Sequence, residues 1–210
     1  MKSREQTIVL ATHNPGKIGE FYRILAHLPV RWLTLPELGI ETKIHEGGDT
    51  FTENASIKAQ GYCDLTGHWT LADDSGLIVE ALGGRPGIKT SRYGEEGHTQ
   101  AEKWDLLLRE LQSVSWQHRV AQFHCSMALA LPNQGQVLTA QGKCSGRITF
   151  SPAGTSGFGY DPIFYIPQHG CTMAQLSPEI KDRISHRGRA VRALSPVISE
   201  LLANRSPTDL

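Results

Sequence analysis

The 210 residues show no excess of either charge and no long apolar run. Lysine plus arginine and aspartate plus glutamate stand at 21 each, so the formal net charge is zero. Proteins that coat nucleic acid or ride on anionic membranes ordinarily carry a basic excess, so neither partner is expected here. No stretch approaches the ~20 apolar residues of a membrane-spanning helix. The opening MKSREQ is followed only by TIVLA before polar residues return, which is too little for a signal peptide. Cys63, Cys125, Cys144 and Cys171 form no C-x-x-C pair, which sets aside zinc-ribbon and thioredoxin chemistry. A cytoplasmic enzyme with reduced thiols is the expectation. Internal repeats, low-complexity segments and separating linkers are also missing. Residues 1–210 therefore read as one domain, with NRSPTDL at 204–210 as a frayed tail.

Hydrophobic residues make up 39% and charged residues 20%, the balance of an ordinary globular protein. Residues 7–12 read as a short buried strand. The period then changes: Ile18, Phe21, Leu25 and Leu28 mark one helical face ending near Pro29. RWLTL at 31–35 reads as a second strand. Thr50-x-x-Glu53 predicts a capping box and a helix to about Thr66; Thr99-x-x-Glu102 predicts another. WTLA at 69–72 is a strand that Asp73-Asp74-Ser75-Gly76 breaks, with LIVEAL extended beyond it. Residues 119–131 alternate strictly and pair with 136–149 through Pro132-Asn133-Gln134-Gly135. Ser177-Pro178 opens a helix, and a last one runs from about Ser185 toward Ala203, kinked or restarted at Pro196.

Four polar segments interrupt this pattern. Thr12-His13-Asn14-Pro15-Gly16-Lys17 joins a strand end to a helix start, where open α/β sheets tend to bind ligands. Ala11 and Ile18 exclude a Walker loop. Exposed amides, a helix N-terminus and a first-turn lysine are still the parts of a phosphate cradle. An ordinary strand-to-helix turn with a surface lysine is the alternative. Asp73-Asp74 suits a strand end beside a cation, where one acid binds Mg²⁺ or takes a proton from water. A plain turn suits Asp-Ser-Gly equally well. Gly154 to Asp161 sets Phe158 and Tyr160 among glycines, as a surface for a flat ring or as a flexible loop. His186 and Arg187 place positive charge in a helix's first turn, against the dipole, which a bound anion would relieve. A solvated basic face with Lys181 is the other reading.

ATHNPGK at 11–17, FTENASIKA at 51–59, ADDSGL at 72–77, GGRPG at 83–87, SGFGYDPIF at 156–164 and ISHRG at 184–188 occur in series. In that order and spacing the chain resembles the non-standard purine nucleotide pyrophosphatases, the inosine/xanthosine triphosphate pyrophosphatase family. The resemblance covers residues 7 to about 202. It implies an α/β fold: an elongated mixed β-sheet with flanking helices, in two lobes around a central active-site cleft. It implies a homodimer that uses Mg²⁺ to hydrolyse dITP, ITP and XTP to the monophosphate and pyrophosphate, cleansing the nucleotide pool.

Carried over by position, Thr12, His13, Asn14, Pro15, Gly16 and Lys17 would bind phosphate. Glu46 and Asp74 would hold Mg²⁺, and Asp74 would be the catalytic base, with Lys17 and Asp73 completing the catalytic set. Ser75, Phe158, Gly159, Tyr160, Asp161, Lys181, His186 and Arg187 would contact the nucleotide, and Asn54 and Lys58 would line the site. Lys89-Thr90 departs from the family's usual tyrosine and Ser-Ala pair, and Pro196 interrupts a helix ordinarily continuous. A pyrophosphatase for another modified nucleotide, or a non-catalytic nucleotide sensor, are the competing readings.

Overall fold

Thr50 and Thr99 begin helices by the mechanism their spacing predicts. Each side chain accepts from the backbone N–H three residues on, and Glu53 or Glu102 accepts in return from the cap's own N–H. In the computed structural model, which describes residues 5–204, five helices form: α1 (Pro15–Ile24), α2 (Phe51–Thr66), α3 (Gln100–Glu110), α4 (Pro178–Ile184) and α5 (His186–Ala203). Seven strands accompany them: β1 (Thr7–Leu10), β2 (Arg31–Thr34), β3 (Trp69–Val79), β4 (Val120–Ala130), β5 (Val137–Ile148), β6 (Phe164–Ile166) and β7 (Cys171–Thr172). Their order in one sheet is β2-β1-β3-β4-β5-β6-β7. β1 pairs in parallel with β2 and β3, whereas β6 is antiparallel to β5 and β7. This is the mixed α/β sheet with helices that the sequence predicts. The tail expected at 204–210 lies outside the described residues from 205 on.

The chain divides into two compact units. The first runs through Asp74 and adds Ser126–Gly142 and the chain from Arg189 onward; the second is Ser75–Cys125 with Lys143–Gly188. In the first unit Val9, Ala55, Ala59, Tyr62, Cys63, Ala72 and Ala128 form one apolar cluster. Ala55 and Ala59, four residues apart on one face of α2, are small enough to let that helix lie close to the strands. In the second, Leu77, Val79, Leu107, Leu111, Phe123, Ile148, Phe164 and Met173 form another.

Four expectations need correction. α1 stops at Ile24 rather than near Pro29; Leu25 and Leu28 stay buried in the turn that follows. Leu25, at φ −94° and ψ 1°, has already left the helical conformation, and the chain turns there toward β2. β3 is unbroken through Asp73-Asp74-Ser75-Gly76, because lysines from α1 and α2 neutralise the two acids within the strand. The turn reading of that segment therefore falls. Beyond Val79 the chain is a 3₁₀ turn, Glu80–Leu82, not extended. α5 continues through Pro196 without restarting. A proline removes one ladder bond, but Ala190, Val191, Leu194 and Ile198 remain buried along the helix, which holds it together.

Candidate active site

The turn after β1 uses its own amides. Asn14 Oδ1 accepts from the Gly16 and Lys17 N–H groups at 2.9 and 3.3 Å, which makes Asn14 the cap of α1. The Asn14 N–H donates to Thr12 Oγ1 at 3.2 Å, and the Ile18 N–H to the Asn14 carbonyl at 3.0 Å. Pro15 has no N–H to offer. In this structure the Gly16, Lys17 and Asn14 amides of the expected cradle are thus bonded within the turn itself. His13 Nε2 donates to the Ile40 carbonyl at 2.8 Å, an arrangement that requires its proton on Nε2. What this turn can direct at an anion is the Lys17 side chain.

Lys17 Nζ reaches both oxygens of Asp73, at 3.0 and 2.9 Å. The Asp73 side chain has no exposure and that of Lys17 has 17%. Asp74 takes a different lysine, as alternation along a strand requires. Lys58 Nζ lies 3.5 Å from Asp74 Oδ1 and 3.3 Å from Glu46 Oε2. The second Asp74 oxygen, Oδ2, is buried with no hydrogen-bond partner. Burial pushes the Asp74 carboxyl above its ordinary value; Lys58 and Lys17 pull it down, and Glu46 and Asp73 push it up again. Burial works to lower the Lys58 pKa, but Asp74, Asp73 and Glu46 outweigh it and hold the ammonium above its ordinary value.

Among the described residues no three His, Cys, Asp or Glu side chains gather as a metal cage. Mg²⁺ needs none: it keeps most of its waters and takes one or two protein carboxylates. A buried carboxylate oxygen without a partner, beside a second carboxylate, is a donor set of that kind. Asn54 is buried, and its Oδ1 accepts the Gly48 N–H at 2.9 Å, so it fixes the segment that carries Glu46.

The second unit holds the other named residues. Asp161 accepts from the Phe158 N–H at 2.9 Å and pairs with Lys181; both charged side chains are buried. The Phe158 ring, half-buried, has Lys181 Nζ 4.8 Å from its centroid and Arg187 Cζ at 5.5 Å. Cations over a ring attract its electron-rich face and hold it in place. Arg187 donates to Ser75 Oγ at 3.0 Å. His186 stacks on Phe123, centroids 4.7 Å apart and planes 16° from parallel. Ser185 Oγ accepts the Gly188 N–H at 3.1 Å, so it caps the helix that presents both basic residues.

Gly159 offers its carbonyl to Trp104 Nε1 at 2.9 Å. The Tyr160 hydroxyl donates to the Thr90 carbonyl at 3.3 Å, and the residue is core; burial, then Tyr93, raises its pKa. Thr90 is itself a pin: its hydroxyl accepts from the Leu77 N–H at 2.8 Å and donates to the Gly87 carbonyl at 2.5 Å.

Gly157 is the point on which this loop depends. Its φ is +78°, and a Cβ there would collide with the Asp161 carboxylate and come within 2.9 Å of Lys181 Nζ. Gly157→Ala adds backbone strain to the breaking of a buried ion pair. It is expected to weaken folding by about 3 kcal/mol, read by urea denaturation.

Sequence reasoning gave no functional role to Tyr62, to Trp104 or to the hydroxyl pair Thr52–Ser126, 2.9 Å apart with Gln141 donating to Thr52. Tyr62 stands among apolar helix positions, where only its hydroxyl marks it as different. The partners of all three are far away in the chain, so no local pattern reveals them.

Known proteins share this arrangement of segments. The Ham1 family sequence profile matches residues 8–197. A dITP/XTP pyrophosphatase of Halalkalibacterium halodurans is 46% identical over 186 residues, covering 89% of this chain and 95% of that protein. The solved HAM1 protein of Coxiella burnetii superposes with a TM-score of 0.84 at 42% identity, over 93% of this chain and 99% of that one. A nucleoside-triphosphatase / dITP/XTP pyrophosphatase of Mycobacterium abscessus gives 0.73 at 39% identity, over 91% and 100%. Similarity of this degree, along almost the whole length, makes the chain a member of the Ham1 family.

Proposed function

We propose that the protein hydrolyses dITP, ITP and XTP to the monophosphate and pyrophosphate. The observation that carries the chemistry is Asp74, a buried carboxylate with one unpartnered oxygen and a raised pKa, among Glu46, Lys58 and Lys17. Asp74 takes the proton of the water that attacks the α-phosphorus. A raised pKa brings a carboxylate closer to the ideal strength for that task at neutral pH. Lys17 and Lys58 supply charge to the triphosphate oxygens, which strengthens as the pyrophosphate leaves. Glu46 and Asp74 are the residues that would hold Mg²⁺, which when bound acts as a Lewis acid on phosphate oxygens.

Base choice belongs to the second set. Phe158 offers a ring for stacking, fixed through Asp161, Lys181 and Arg187. Arg187 can only donate hydrogen bonds, and His186 can donate one. Donors accept the C6 carbonyl of hypoxanthine or xanthine and meet the adenine amine with donor against donor. Such mismatches leave buried polar groups unpaired, which makes the rejection strong. A cytoplasmic homodimer is part of the same reading, and sedimentation of the purified chain checks the dimer.

The test is a product assay with Mg²⁺ and, separately, ITP, XTP, ATP, GTP and dUTP. Monophosphate with pyrophosphate from ITP and XTP, and little from ATP and GTP, is expected. Preferential turnover of dUTP would move the reading to another modified-nucleotide pyrophosphatase. Diphosphate with orthophosphate would place attack at the γ-phosphorus instead. Tight ITP binding without turnover would mark a sensor.

A further inference from the structure

Glu46 sits in an unusual place for a residue that must be held accurately. Residues 40–48 form no regular element, and most are exposed. Such a segment left to itself samples many conformations, and a carboxylate on it binds a cation correspondingly weakly. Here the segment is fastened on both sides of Glu46. On one side the Tyr62 hydroxyl donates to the Thr42 carbonyl at 2.8 Å and accepts from the Ile44 N–H at 3.4 Å. On the other, Asn54 Oδ1 accepts the Gly48 N–H at 2.9 Å. Both fasteners come from α2, the helix that also carries Lys58.

The apolar contacts agree. A Cβ at Gly61 would lie 3.0–3.1 Å from three side-chain carbons of Ile44, so Ile44 rests directly on the helix beside Tyr62. The Tyr62 ring is 3% exposed and belongs to the first unit's core. Its edge meets the His13 ring, centroids 6.4 Å apart, and His13 in turn holds the Ile40 carbonyl. A phenylalanine at 62 would fill the same core space. Only the hydroxyl, reaching two backbone groups of the segment, calls for tyrosine.

We propose that Tyr62 is a positioning residue for divalent cation binding: its hydroxyl latches residues 42–44 to α2 and so presents Glu46 beside Asp74. The proposal rests on the reading of Glu46 and Asp74 as metal ligands. Groups that orient a ligand typically change metal affinity about 10–100-fold when removed. Tyr62 acts through the backbone rather than on Glu46 itself, so Tyr62→Phe is expected at the low end, about tenfold.

The test titrates Mn²⁺ into the purified full-length protein and follows the loss of the free-ion EPR signal. Wild type, Tyr62→Phe, Glu46→Gln and the double variant are compared. Tyr62→Phe should weaken Mn²⁺ binding about tenfold, and its loss of activity at low Mg²⁺ should be regained at high Mg²⁺. The double variant should bind no more weakly than Glu46→Gln alone, because a latch has no effect once its carboxylate is gone. Wild-type affinity in Tyr62→Phe, or independent losses that multiply in the double variant, would overturn the proposal while leaving Glu46 a ligand. Wild-type affinity in Glu46→Gln would overturn it differently, by removing Glu46 from the metal site.

Discussion

Replacing Lys17 with alanine is expected to cost about 3 kcal/mol of folding stability, apart from any effect on catalysis. Asp73 is the reason. Its side chain is fully enclosed in β3, and Lys17 Nζ contacts both of its oxygens. Removing the lysine leaves a buried carboxylate without its counter-charge. That is far costlier than removing both partners together, because a lone buried charge keeps its desolvation penalty. The double variant Lys17→Met with Asp73→Asn should therefore recover much of the loss. Urea denaturation of the single and double variants checks this. Equal destabilisation in both would mean that Asp73 is stabilised by its other neighbours and that Lys17 is not its counter-ion. Because of this coupling, a kinetic defect in Lys17→Ala is interpretable only at temperatures where the variant is folded.

Asp74→Asn is expected to behave in the opposite way. Turnover should fall about 10²–10⁴-fold with loss of the proposed general base, and further if the variant also loses metal. Stability should not fall. The folded-state pKa of Asp74 is raised, with burial as the largest cause. A raised carboxyl favours folding while protonated; that contribution is complete below the unfolded-state pKa and lost as pH rises through the folded-state value. At neutral pH ionised Asp74 is therefore a net cost, which a neutral amide of the same shape removes. Tm of metal-free Asp74→Asn should equal or exceed wild type at pH 7, and the advantage should vanish as pH falls through the Asp74 titration. A large drop in Tm at neutral pH would show that the Lys58 contact outweighs burial.

Local interactions were legible in the sequence. Both capping boxes, the Ser177 cap and the β4–β5 hairpin each depend on residues a few positions apart. Distant compensation was not legible. Asp73-Asp74 resembles a turn until Lys17 and Lys58 arrive from other helices, and then it is ordinary strand. Pro196 looks like a break until the burial of Leu194 and Ile198 is known. At the candidate site the residue types were visible, but not what each one touches. Asn14 reads as part of a phosphate cradle, and its side chain capping the Gly16 and Lys17 amides was not legible. Asp161 and Lys181 read as nucleotide contacts, and their pairing with each other beside Phe158 was not legible. Tyr62 was hidden by its own apolar context.

The chemistry assigned to Asp74 makes one demand that a single experiment reads directly. Hydrolysis of ITP by the purified protein in ¹⁸O-labelled water, with Mg²⁺ present, should place the label in the inosine monophosphate and leave the pyrophosphate unlabelled. That outcome means water attacked the α-phosphorus. Label in the pyrophosphate would mean attack at the β-phosphorus, and the account of Asp74 as the base for α-attack would be wrong.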